Sequence, residues 1–216
     1  GDTETAYTTL DSALDSVPDT ASWVPDARIT MAKLSLNLNN HERAKSVLKK
    51  MEESPTRVLL KTELYRRLGQ PTTASKMLET FRSTYNPNKH RSTYVPIALA
   101  VYRETDNHEG IVKLLDEVPD NPQHQLARFQ ALLALDRPSD ATRLYHRLDL
   151  KVVPEASRRL GDYFYQQGNW KKAVGYYREA PETNRVQFRI GRAYKKQGKT
   201  KKAYTTWTKM LSSLRA

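Results

Sequence analysis

Acid–base and metal chemistry at neutral pH draw first on histidine, and this chain carries five: His41, His90, His108, His124 and His146. No two of them stand in HxxxH or HExxH spacing, so neither a helical zinc pair nor a metalloprotease centre is encoded. Each falls near a turn or at a polar helix position, and solvated surface is expected for all of them. Cysteine is absent, which removes disulfides, thiolate metal sites and thiol nucleophiles together. Gly198–Lys199–Thr200 ends like a phosphate-binding loop, but Ala193 stands where that loop needs glycine, and no strand precedes it. No serine lies in a GxSxG elbow. The carboxylate pairs Glu52–Glu53 and Asp116–Glu117 fall at predicted helix ends with no second acid at a telling distance. No catalytic residue, cofactor site or metal site is assigned, and the chain is expected not to be an enzyme.

Binding chemistry is better represented. The formal net charge is +12 over 216 residues, and its placement is uneven. Residues 1–150 hold 20 Lys/Arg against 20 Asp/Glu, whereas residues 151–216 hold 16 against 4, so the whole excess lies in the last third. Ten of the 19 aromatic residues lie there as well. Arg and Lys beside Tyr, Trp or Phe can hold an anionic chain by charge and stacking. The run Lys195–Lys196, Lys199, Lys201–Lys202 is the densest stretch of cations. An acidic partner and a solvated, solubilising surface both account for it.

The elements that must carry these residues are helices. Hydrophobic residues make up 38% and charged residues 28%, too apolar for disorder and too polar for one thick core. No apolar run approaches the roughly 20 residues that span a bilayer, and no signal-peptide pattern opens the chain. Two stretches align without a gap, Leu160–Ala180 (LGDYFYQQGNWKKAVGYYREA) and Ile190–Met210 (IGRAYKKQGKTKKAYTTWTKM). They pair Gly161 with Gly191, Gly168 with Gly198, Ala173 with Ala203 and Tyr177 with Trp207. Small residues let two helix backbones approach, a large ring fills the space beside them, and the turn glycine ends the first helix. Weaker copies carry their small residue at Ala44, Ala74, Gly110 and Ala141, so the anchors are spaced by 30, 36, 31, 32 and 30 residues. This pattern resembles the tetratricopeptide repeat, a helix–turn–helix unit with a period of about 34 residues. The copies are irregular, and most lack the family's early Trp and terminal Pro.

The resemblance implies an all-α fold, a right-handed α-solenoid of about six helix pairs. The pairs are predicted at 26–38 and 41–52, 55–68 and 71–84, 92–104 and 107–117, 122–135 and 138–148, 154–167 and 170–180, and 183–197 and 200–214. Pro25, Pro55, Pro71, Pro122, Pro138 and Pro154 all fall just before or in a first turn, where the missing N–H costs nothing. Pro96 must sit in a first turn or delay its helix. Residues 4–17 read as one extra N-terminal helix, a second helix without its first. One domain, 1–216, is expected, excised from a longer repeat array because no end of it reads as a capping repeat.

In tetratricopeptide arrays the first helix of each pair lines a concave groove. The resemblance places Arg185, Phe188, Arg192, Lys195 and Lys196 on that face in the sixth copy, and Glu155, Arg158, Asp162, Tyr165 and Gln166 in the fifth. Arg66 and Arg67, with Glu63, come from the second copy, and Tyr102 and Arg103 from the third. The first and fourth copies supply Lys33, Asn37, Gln123 and Gln130. Candidate partner-binding residues are Arg66, Arg67, Arg103, Arg158, Tyr165, Arg185, Phe188, Arg192, Lys195 and Lys196. The Lys–Asn carboxylate clamp of some family members is missing, since Ile29 and Lys33 occupy its slots. Phe164, Tyr177, Tyr194 and Trp207 are expected in the core, and Tyr165, Trp170 and Phe188 at the surface. The function implied is a non-enzymatic scaffold that presents its groove to another protein, or to a segment of its own complex. The alternative is an anionic polymer held at 151–216, either nucleic acid or exopolysaccharide. Arrays of this irregular kind occur in bacterial exopolysaccharide export proteins, so the leaning is to the periplasm or cell envelope, with the compartment otherwise open. No membrane insertion of this segment is expected.

Overall fold

A computed structural model describes residues 2–118, 121–147 and 154–213. Every regular element among them is helical. Unit 1, residues 1–107, holds α1 (Asp2–Ser16), α2 (Val24–Asn37), α3 (His41–Lys50), α4 (Pro55–Arg67), α5 (Pro71–Thr84), a 3-10 turn (Pro87–His90) and α6 (Arg91–Glu104). Unit 2, residues 108–216, holds α7 (His108–Asp116), α8 (Pro122–Ala134), α9 (Pro138–Arg147), α10 (Pro154–Gln166), α11 (Trp170–Glu179), α12 (Asn184–Lys196) and α13 (Thr200–Ser213). The division falls between α6 and α7, inside the third predicted pair. The predicted helices, the extra N-terminal one included, are present to within a few residues; predicted ends at 148 and 214 lie outside the described residues.

Local chemistry explains these boundaries. Five helices begin on proline, at Pro55, Pro71, Pro122, Pro138 and Pro154, where the fixed φ suits a first turn. Asn40, Ser54, Asn121, Asn169 and Thr183 each accept a backbone N–H of the turn they open, satisfying donors that a helix start leaves orphaned. The turn inside each pair is a left-handed residue at the helix C-terminus. These are Asn39, Gly69, Asp106, Asp136, Gly168 and Gly198, with φ between 50° and 74°. In each case the next N–H closes on a carbonyl five residues back, as Asn40 does on Ser35 (2.8 Å), Asn107 on Tyr102 (2.8 Å) and Asn169 on Phe164 (2.8 Å). This is the Schellman closure. Glycine marked three of the six turns in the sequence. Asp106 and Asp136 did not stand out, because aspartate reaches the same region through its short polar side chain.

Pro96 corrects the expectation made for it. It lies inside α6, which begins at Arg91, so one backbone hydrogen bond is forfeited. Tyr94, Val95, Ile97, Ala98, Leu99, Val101 and Tyr102 are all buried from that helix, and their removal from water outweighs the lost bond.

Within unit 1, α2 pairs with α3 and α4 with α5, while α4 packs on both α2 and α6. The core here is Met31, Ala32, Leu36, Ala44, Val47, Leu48, Met51, Leu60 and Leu64. Helix α1 has no buried residue, but Tyr7, Leu10 and Leu14 pack on this cluster. Arg43 holds it further, donating to Asp11 (2.6 Å) and Asp15 (3.0 Å). Within unit 2, α8 pairs with α9, α10 with α11 and α12 with α13; α8 also meets α10, and α11 meets α12. Ala44, Ala74, Ala141, Ala173 and Ala203 are all at most 1% exposed, as close-packed anchors must be; Gly110 is half-buried.

Candidate functional site

The first helices of the fifth and sixth copies, α10 and α12, bring together most of the expected site. Each is seated on its own second helix, α11 or α13, by a small residue. A Cβ built on Gly161 would overlap the Tyr177 ring, and one on Gly191 would overlap the Trp207 indole. The paired glycines and paired rings of the sequence are therefore one contact, made twice. Tyr177 is 1% exposed, and its hydroxyl donates to Asp162 (2.7 Å). Burial first, then that carboxylate, raises the Tyr177 pKa. Trp207 is half-buried and donates Nε1–H to the Phe188 carbonyl (3.2 Å).

Asp162 is the electrostatic hub. Besides Tyr177 it takes Arg189 (2.7 Å) and Arg158 (3.1 Å). Arg158 also lies 3.8 Å from Glu155, and Arg159 2.6 Å from it. The two acids of α10 are thereby consumed by three arginines. Arg189 was not among the expected site residues; it follows Phe188 directly, and only the fold brings it to an acid 27 positions earlier in sequence.

The remaining cations stay uncompensated. Arg185, Arg192, Lys195 and Lys196 are all exposed, and none has a carboxylate within ion-pair distance among the described residues. Arg192 lies over the Tyr165 ring, its guanidinium carbon 5.5 Å from the centroid, a cation–π contact that leaves the charge without an acid. Phe188 is 48% exposed, a ring-sized apolar surface among charges. Tyr165 and Trp170 are half-buried, short of the exposure expected for them. Lys199 reaches the Gln197 amide oxygen (2.8 Å), and the Lys202 ammonium sits 6.0 Å from the Tyr194 ring centroid.

In unit 1, Arg66 and Arg67 share Glu63. Arg66 reaches it by two hydrogen bonds of 2.7 Å and Arg67 by one of 2.6 Å. Arg66 also pairs with Glu104, and Arg67 donates to the Leu36 carbonyl (2.6 Å). Burial opposes ionisation of Glu63, but the two arginines win and its pKa falls. Arg103 is exposed with no such partner among the described residues.

The histidines differ from expectation. His41, His90, His108 and His124 are half-buried and only His146 is exposed. Among the described residues no group of three His, Cys, Asp or Glu is placed to hold a metal ion. No helix among them is long and apolar enough to cross a membrane. Gly198 is a left-handed turn residue and Thr200 opens α13, which is how the apparent phosphate loop is used.

Two family models match this chain, each described as tetratricopeptide repeat, over residues 126–185 and 185–213. A search of curated proteins found no match. Among solved structures the chain resembles a tetratricopeptide repeat protein from Parabacteroides merdae, at 16% identity and a TM-score of 0.58, over 98% of this chain and 87% of that one. It also resembles PilF of Pseudomonas aeruginosa, at 16% identity and a TM-score of 0.52, over 95% of this chain and 93% of that one. Those likenesses carry the fold, and the family models carry the repeat. Residues 126–213 of this chain match the tetratricopeptide repeat, and the chain shares the all-α fold of tetratricopeptide-repeat proteins, whose helix pairs generally mediate protein–protein interaction.

Proposed function

We propose that this chain is a non-enzymatic scaffold whose α10–α12 face takes an acidic segment of a protein partner within a larger complex. One observation supports it above the rest. Asp162 and Glu155 neutralise Arg158, Arg159 and Arg189, while Arg185, Arg192, Lys195 and Lys196 are left without acids beside the exposed Phe188. Cations that served only the fold would be expected to find partners in it. A partner carboxylate against Arg192 gains a donor already placed over the Tyr165 ring, and an apolar side chain gains Phe188. In the first unit Arg103 is the corresponding candidate, with Arg66 and Arg67 behind their own acids.

A second reading rests on the same cations. Lys199, Lys201 and Lys202 extend the charge past the turn, and an acidic polymer, glycan or nucleic acid, would use the whole run. The two readings separate in one titration of the protein with three labelled probes: a Glu-rich peptide with aromatic residues, an acidic polysaccharide and single-stranded DNA. Salt is set at about 50 and about 200 mM. The scaffold reading expects the peptide to bind tightest and to keep much of its affinity at the higher salt. Polymer binding that is tighter than peptide binding and collapses with salt would replace it with the second reading.

A further inference from the structure

Unit 1 contains a cleft of about 310 Å³ between α3 and α4, and a change of residue type at one repeat position accounts for it. Thirteen residues before each small anchor stand Met31, Lys61, Ile97, Arg128, Leu160 and Ile190. The four aliphatic ones are all at most 9% exposed, so this position normally packs into the core. Lys61 cannot, because its ammonium must stay in water, and it is exposed. Arg128 stands in the same register in unit 2, and Asp116 neutralises it there. Lys61 has no such acid among the described residues.

The cleft is amphipathic. Its floor is Leu48 and Leu64, both buried, and its lip is Tyr65 and the 41% exposed Leu68. Lys45 and Lys49, one turn apart on α3, form one bank, and Lys61 forms the other. None of the three lysines has a carboxylate partner among the described residues. Arg57, at the edge, is already spent on the Leu48 carbonyl (2.8 Å) and Glu53. Lys61, Tyr65 and Leu68, spaced as one helical stripe, lie on the side of α4 opposite Glu63, which holds Arg66 and Arg67.

We propose that this cleft is a second docking site, which takes an acidic amphipathic helical segment of a protein partner. Aliphatic side chains of the segment fill the place that an aliphatic residue at position 61 would have filled. Its carboxylates, one turn apart, meet Lys45 and Lys49 along one side and Lys61 along the other. Charge complementarity and the apolar floor together select this occupant: a polyanion would leave the floor wet, and an uncharged apolar helix would leave three lysines unpaired. The site does not rest on the α10–α12 face and lies wholly within unit 1.

Fluorescence anisotropy of the full chain with three labelled peptides of about 14 residues, long enough for nearly four helical turns, tests it. The first has two leucines four positions apart flanked by glutamates; the second replaces the leucines with alanine; the third replaces the glutamates with glutamine. The first is expected to bind saturably and the other two at least roughly tenfold more weakly. Lys61→Glu, the pair Lys45→Glu with Lys49→Glu, and Leu68→Ser each weaken the first peptide by a similar factor, while Lys113→Glu, at an exposed position outside both faces, leaves it unchanged. All five positions are exposed, and matching circular dichroism and Tm confirm that each variant is folded. Equal binding of the alanine peptide, no saturable binding of the first, or folded variants that bind it as the parent does would each overturn the proposal.

Discussion

At the residue scale, the two glycine–ring contacts carry the most definite consequence. A Cβ at Gly191 would strike the Trp207 indole and one at Gly161 the Tyr177 ring, and neither ring can withdraw without opening its helix pair. Gly191→Ala and Gly161→Ala are each expected to destabilise unit 2 by about 1–3 kcal/mol, the range for overpacking a close contact. Thermal or urea unfolding measures this; Gly175→Ala, where nothing lies near the added carbon, serves as the control with little loss. The Glu63 cluster has a pH signature. Its folded pKa lies below the ordinary 4.5 because Arg66 and Arg67 outweigh burial. Its contribution is therefore fully present above 4.5 and is lost as pH falls through the lower, folded value. Glu63→Gln is expected to cost about 1–3 kcal/mol near neutrality, as charge-assisted bonds do. The loss should vanish in acid, where parent and variant converge.

At the element scale, the backbone departs from the ideal repeat in two places that can be improved. Asp106 holds a left-handed turn at φ 50°, and Asp106→Gly removes the Cβ penalty, a gain of about 0.5–1 kcal/mol. Pro96→Ala restores a missing hydrogen bond inside α6, with a gain of about 1 kcal/mol from a defect that can cost ~3. Both variants are expected to raise the Tm of unit 1; a fall in either would mean that the local conformation is set by packing rather than by backbone preference. These same places show what the sequence withheld. Helix boundaries were legible because proline, turn glycine and small anchors each have one local physical role. The aspartate turns were not, because aspartate serves many roles. Pro96 was misplaced because burial of seven neighbouring side chains is a tertiary fact that no local rule weighs.

At the scale of the molecule, the fold followed from the repeat, but the site followed only in part. Position in the repeat was enough to bring Tyr165 and Arg192 together and to leave Phe188, Lys195 and Lys196 exposed. It could not reveal which charges the fold would neutralise. Arg66, Arg67 and Arg158 looked equivalent to Arg185 and Arg192 in sequence, yet Glu63, Glu104, Glu155 and Asp162 engage the first group and not the second. The net +12 is thus a poor guide to binding until internal pairs are subtracted. The central claim is that the uncompensated cations of the α10–α12 face hold an acidic protein segment. The most direct measurement is titration of an aromatic, Glu-rich peptide against the parent and against the variant Arg185→Glu, Arg192→Glu, Lys195→Glu, Lys196→Glu, at about 100 mM salt. Four exposed contacts at up to about 1 kcal/mol each predict an affinity loss of at least tenfold with an unchanged melting temperature. Undiminished binding by the folded variant would contradict the account.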